Sequence, residues 1–111
     1  MAKKTPKQPL GEKVVDETVM LKRPRRGGRL REEVWHTPDG RVTKYNLAYV
    51  NHLICRVDNG RVLGYDNSHD HHHRHFMGRV EAIEFDNYES LAARFRAEVH
   101  ELWRKEVEEN A

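Results

Sequence analysis

One stretch of this chain carries a helical stripe, and it lies near the C-terminal end. Leu91, Phe95, Val99, Leu102, Trp103 and Val107 recur at spacings of three and four, which places them on one face of a helix. Arg94, Arg96, His100, Glu101, Arg104 and Lys105 lie off that face. Asp86 stands where a cap is needed, and Glu89 three residues later completes a capping-box spacing. Such a helix must bury its stripe, and the rest of the chain offers only extended segments to bury it against.

Those segments are short and separated by turn signals. Val14, Val15, Val19, Met20 and Leu21 form a first short strand, followed by a basic turn over residues 22–28 with a proline and paired glycines. Residues 30–36 are extended in character, and Thr37-Pro38-Asp39-Gly40 is a reversal. Val42, Tyr45, Leu47 and Tyr49 then alternate as in a half-buried strand. Asp58-Asn59-Gly60 is a hairpin signal, because these residues tolerate positive φ, and it predicts that residues 53–57 pair with 61–65. Residues 67–79 read as a polar loop and 80–85 as one more strand. The expectation is an α+β fold: an antiparallel meander sheet of about four to five strands packed against one C-terminal amphipathic helix. Residues 1–13, basic and without periodicity, are expected to be a disordered arm, and 14–108 a single domain.

The chain has 111 residues, 37% hydrophobic and 34% charged, with a net charge of +2. One modest core is all that this length and composition can build, and a polar balance of this kind leaves room for a partner. The charges are segregated. Lys22, Arg23, Arg25, Arg26 and Arg29 belong to a basic N-terminal block, while Glu81, Glu84, Glu98, Glu101, Glu106 and Glu108 crowd the last third. A basic block attracts a polyanion, or serves as a solvated tail. Cys55 is the one cysteine, so an internal disulfide is excluded and a reducing compartment fits best. No apolar run is long enough to span a membrane, and a cytoplasmic location is the expectation.

Chemistry concentrates in residues 65–75. Five of the eight histidines (His69, His71, His72, His73 and His75) fall within seven residues, directly after a strand. If this segment is extended, His69, His71, His73 and His75 share one side, and Asp70, His72 and Arg74 the other. Histidine moves protons near neutral pH. Two imidazoles with an arginine suit RNA cleavage: one takes the ribose 2′ proton, the other protonates the leaving oxygen, and Arg74 stabilises the phosphorane. The same imidazoles with Asp66 or Asp70 could instead hold a transition metal, or the loop could only bind phosphate. Asp66 and Asn67 also suit a purely turn-forming role. No Walker loop, H-E-x-x-H or nucleophile elbow is present.

Residues 45–50 (YNLAYV), 61–67 (RVLGYDN) and 73–75 (HRH), with the Phe85, Leu91 and Phe95 helix entry, resemble the TumE family of toxin components of toxin–antitoxin pairs, over roughly residues 42–103. Carried over residue by residue, the resemblance points to Tyr65, Asp66, Asn67, His69, His73, Arg74 and His75. Asp70, His71 and His72 depart from the glycine and lysine common in that loop, and the basic residues 1–31 lie outside the pattern. The resemblance implies growth inhibition and a cognate antitoxin.

The leading expectation is a metal-independent ribonuclease with no cofactor. His73 and His75 act as acid and base, Arg74 as electrostatic stabiliser and Asp66 or Asn67 as the orienting group, with His69 also among the catalytic candidates. Tyr65, Asn67, Lys22, Arg23, Arg25, Arg26 and Arg29 hold the RNA. Two alternatives stand beside it: a non-enzymatic nucleic-acid-binding or regulatory protein that stacks bases on exposed Tyr45, Tyr49 and Tyr65, and a metal-dependent nuclease using the same histidines. A homodimer is a further option.

Overall fold

The computed structural model describes residues 11–23 and 25–109. Six strands come first: β1 (Glu12–Met20), β2 (Gly28–His36), β3 (Val42–Asn51), β4 (Arg61–Asp66), β5 (His73–Phe76) and β6 (Arg79–Ala82). Helix α1 (Tyr88–Glu109) follows. The strands form one antiparallel sheet in chain order. The α+β class, the meander and the single helix agree with the sequence reading.

The strand number does not: there are six, not four to five. The additional pairing is the β5–β6 hairpin, reversed at Met77 and Gly78 with φ of 50° and 84°. β6 corresponds to the expected 80–85 strand but ends at Ala82, while the four residues of β5 carry too little alternation to stand out from the expected 67–79 loop.

Three local expectations also change. Asp58, Asn59 and Gly60 do take positive φ, but they form a 3-10 turn rather than a two-strand hairpin. Residues 53–57 do not pair with β4, whose partners are β3 and β5. Asn51 ends β3 instead: its carbonyl accepts from the Ile54 and Cys55 amides, and its Oδ1 accepts from Leu53 N at 3.0 Å. The helix cap is Asn87, whose Oδ1 accepts from Ser90 N at 2.8 Å, so the Asp86–Glu89 capping box does not form. Finally, β1 begins at Glu12 and takes in the end of the expected 1–13 arm. Residues 1–10 lie outside the described residues.

The core lies between α1 and one face of β3 and β4. Tyr45, Leu47, Tyr49, Leu63 and Tyr65 face Leu91, Phe95 and Val99. Each fully buried Leu, Val or Phe contributes roughly 1.5–3 kcal/mol, so these three stripe residues largely hold the helix down. Val107, at 45% exposed, lies outside the core. Tyr45, Tyr49 and Tyr65 are 1%, 0% and 0% exposed, which overturns the alternative in which they stack on bases. Their hydroxyls explain part of the acidic last third: Tyr49 donates to Glu106 at 2.6 Å and Tyr65 to Glu98. Burial first, then these carboxylates, push both phenols up to about 12. No helix among the described residues is long and apolar enough to cross a membrane.

Candidate active site

The other face of the sheet carries no helix, and cross-strand register orders its side chains. Asp16 pairs with Glu33, Glu33 with Asn46, Asn46 with Asp66, and Asp66 with His73. One polar row therefore crosses five strands. The next row runs Thr18, Arg31, Ala48, Gly64 and His75. Ala48 and Gly64 are small, so this second row has a depressed centre.

Arg61 fills that depression. The register steps between Tyr49–Leu63 and Val50–Arg61, leaving Val62 as an extra residue, a bulge that re-aims the side chain before it. Arg61 therefore lies on the open face. Its Nε and Nη2 donate to Asp58 at 2.8 and 3.1 Å, Nη1 to Asp66 Oδ2 at 3.3 Å, and Nη2 to His75 Nδ1 at 3.0 Å. These four bonds use four of the five guanidinium N–H groups.

His75 is the most enclosed imidazole of the group, with 12% of its side chain exposed. Because Nδ1 accepts from Arg61, the ring proton is assigned to Nε2. Nε2 lies 2.9 Å from Asp66 Oδ2, with the oxygen off the N–H axis, so the pair is close without an aligned hydrogen bond. Burial, and secondarily Arg61, hold His75 below the ordinary histidine range, against the opposing pull of Asp66 and Asp58. His75 is thus poised neutral. Its neighbour His73 stands 6.3 Å away, ring centre to ring centre, with Nδ1 3.9 Å from Asp66 Oδ1.

Two adjoining hollows open beside these groups, of about 390 and 510 Å³. They share Glu33, Asn46 and Arg61, and Asp66 lines the larger one.

The structure separates the remaining sequence candidates. Arg74 does not join His73 and His75. It pairs with Tyr65 across the strands and points to the helix side, where Nη2 meets Glu98 Oε2 at 2.6 Å and Nε meets the Tyr65 hydroxyl at 3.2 Å. The guanidinium beside the imidazoles is that of Arg61. Tyr65 is buried on the helix side too. Asn67 is structural: Oδ1 accepts from Tyr45 N at 3.0 Å and Nδ2 donates to the Thr43 carbonyl at 2.9 Å. Its amide stands in for a backbone unit where β4 ends, and so continues the pairing of β3. Asp66 does both jobs, since Oδ1 also accepts from Ser68 N at 3.3 Å.

His69 sits exposed in a 3-10 turn at φ 59°, outside the row. His71 extends the row by one, 6.2 Å from His73. His72 turns away, stacked on Phe85 at 4.0 Å and bonded through Nδ1 to the Tyr45 hydroxyl at 2.7 Å. Of the basic residues, Arg29 lines the smaller hollow. Lys22, Arg23 and Arg26 are exposed in the β1–β2 turn, and Arg25 stacks on Trp103 at 4.3 Å. Among the described residues, no group of three or more His, Cys, Asp or Glu is arranged to hold a metal ion.

Sequence reasoning missed Arg61, Asp58, Glu33 and Asn46. Strict alternation puts Arg61 with Leu63 and Tyr65 on the core side, and only the bulge reverses it. The sequence matches the family described as Toxin TumE over residues 12–103. The chain belongs to the TumE family. Neither a curated protein nor a solved structure matches it. The family match reaches back to β1 and β2, so the TumE region contains the strands that supply Glu33 and Arg31, which the YDN and HRH motifs alone do not.

Proposed function

We propose that this TumE-family protein is a growth-inhibiting toxin that cuts RNA without a metal, using His75 and His73 as base and acid and Arg61 as the electrostatic stabiliser. One observation carries the reading: a neutral, enclosed imidazole lies between a carboxylate and a guanidinium that line an open cleft, with a second imidazole beside it. A phosphate entering the cleft meets the unused Nη1 hydrogen of Arg61 and draws the guanidinium from His75 Nδ1. That nitrogen then takes the ribose 2′ proton, the 2′ oxygen attacks phosphorus, and the 5′ oxygen leaves with a proton from His73. The products are a 2′,3′-cyclic phosphate and a 5′-hydroxyl. Asp66 favours the imidazolium form of His75, which supports its taking up the proton.

Membership of a toxin family implies a cognate antitoxin. RNA as target rests on the side-chain chemistry and on the exposed basic turn, whose sequence-independent grip on phosphates would weaken with salt. Arg74 keeps only a supporting role here, since its charge is spent on Glu98. The test is cleavage of labelled RNA by the full chain in EDTA. His73→Ala and His75→Ala should each lower the rate by about 100-fold or more, and arrest of growth on expression should disappear with both. Cleavage unchanged by the double substitution would overturn the reading.

A further inference from the structure

We propose that the larger hollow is a guanine subsite, with Trp35 as the stacking plate and Glu33 and Asn46 as the readers of the base edge; this rests on the RNA-cleavage reading above. Trp35, Glu33, Asn46, Lys44 and Asp66 line one hollow of about 510 Å³. It offers a flat aromatic surface, hydrogen-bond acceptors and a cation, and it adjoins the acid/base centre.

The acceptors select the base. Asn46 Nδ2 donates to Glu33 Oε1 at 3.0 Å, which fixes the amide and leaves its Oδ1 to accept. Glu33 is held ionised, its carboxyl kept below the usual range chiefly by Lys13, whose Nζ is 2.6 Å from Oε2. Arg31 adds a contact at 3.2 Å. An ionised carboxylate accepts only; Oε2 already meets Lys13 and Arg31, while Oε1 holds Asn46 alone and can accept once more. The lining thus presents two neighbouring acceptors. Guanine alone carries two adjacent donors on its pairing edge, N1–H and the N2 amino group. Adenine, cytosine and uracil each carry one. Guanine O6 and N7 need donors, and Lys44, 4.8 Å from the Trp35 ring centre, supplies one. Lys13 also lies over that ring, at 5.1 Å, but does not line the hollow; a base stacking from the hollow takes the place of the Lys44 ammonium over the ring, and that ammonium moves to the base edge.

Placement fits as well. Glu33 is two strands from Asp66 along the polar row. At about 4.8 Å per strand that is roughly 10 Å, comparable with the reach from a purine's pairing edge to the phosphate of its own nucleotide. A base read at Glu33 therefore leaves its 3′ phosphate near Arg61 and His75.

The experiment measures binding of the 3′-monophosphates of guanosine, adenosine, cytidine and uridine to the full chain by calorimetry. Fluorescence of Trp35 in a Trp103→Phe background, which removes the other of the two tryptophans, is a second readout. Guanosine should bind roughly tenfold tighter than the others. Glu33→Gln should abolish that preference, and Trp35→Ala should weaken all four roughly tenfold. Equal binding of the four, no binding of any, or a preference unchanged in Glu33→Gln would overturn the subsite. The wild-type ranking decides alone if a variant does not fold. These nucleotides cannot be cleaved, so the two readings fail separately. Guanosine preference with intact RNA ends the ribonuclease reading only, and cleavage after every base with equal binding ends the subsite only.

Discussion

Arg61 lies directly over Gly64: a methyl group at residue 64 would sit 2.5 Å from Arg61 Cδ and 3.1 Å from the Leu47 carbonyl oxygen. Gly64→Ala should therefore push Arg61 off His75 while the sheet survives, at a cost of roughly 1–3 kcal/mol. RNA cleavage should fall at least as far as in Arg61→Gln, and urea unfolding should show the modest stability loss. Full activity in the Gly64→Ala variant would mean that Arg61 contributes nothing where it lies.

Arg74 should behave as a structural residue. Its ion pair with Glu98 is partly exposed, with 19% and 27% of the two side chains accessible, so its energy is discounted from that of a fully buried pair. A double-mutant cycle of Arg74→Met and Glu98→Gln should give a coupling of about 1 kcal/mol in urea denaturation. Activity per folded molecule should hold. A loss of cleavage without a loss of stability would return Arg74 to the chemistry.

Asn67 ties two backbone groups of β3. Asn67→Ala leaves the Tyr45 amide and the Thr43 carbonyl without this partner and should cost about 1–3 kcal/mol. Asn67→Asp should cost as much, because a carboxylate cannot donate to Thr43. Thermal unfolding of both variants checks this. A change within a few tenths of a kcal/mol would show that water replaces the amide.

Two imidazoles make the fold acid-sensitive. Burial lowers His75 and His72 below the ordinary value of about 6.5. Below that value the unfolded chain binds more protons than the folded one. Their contribution is thus intact above about pH 6.5, falls as pH drops through it, and levels once the folded rings also protonate. The melting temperature should drop between about pH 7.5 and 5.5, and His72→Phe should flatten part of that slope. A flat profile in the parent chain would contradict it.

The helix start separates two neighbouring residues. Asn87→Ala should cost about 1 kcal/mol, and Asp86→Ala much less, in chemical denaturation. Equal losses would restore the capping box.

The sequence made the large elements readable because their signals are redundant. The α1 stripe repeats over five turns, and Tyr45, Leu47 and Tyr49 alternate without interruption. The site was half readable. His73, His75 and Asp66 stand out by type and by period-two spacing. Arg61 was hidden because one unpaired residue, Val62, reverses its face, and no composition signal marks a bulge. Glu33 and Asn46 were hidden for another reason: their role depends on pairing across strands that are far apart in the chain. Asn67 was singled out by the resemblance, and residue type does not separate an amide that meets a ligand from one that bridges two backbone groups of a neighbouring strand.

The strands pair strictly in chain order, and this has a consequence for synthesis. A nascent chain leaving the ribosome can zip up the floor of the cleft from β1 to β4 through nearest-neighbour contacts, the kind that form readily. Both imidazoles travel on the fifth strand. The growing polypeptide therefore carries an incomplete basin, with neither imidazole in place, until residues 73–76 have emerged and docked.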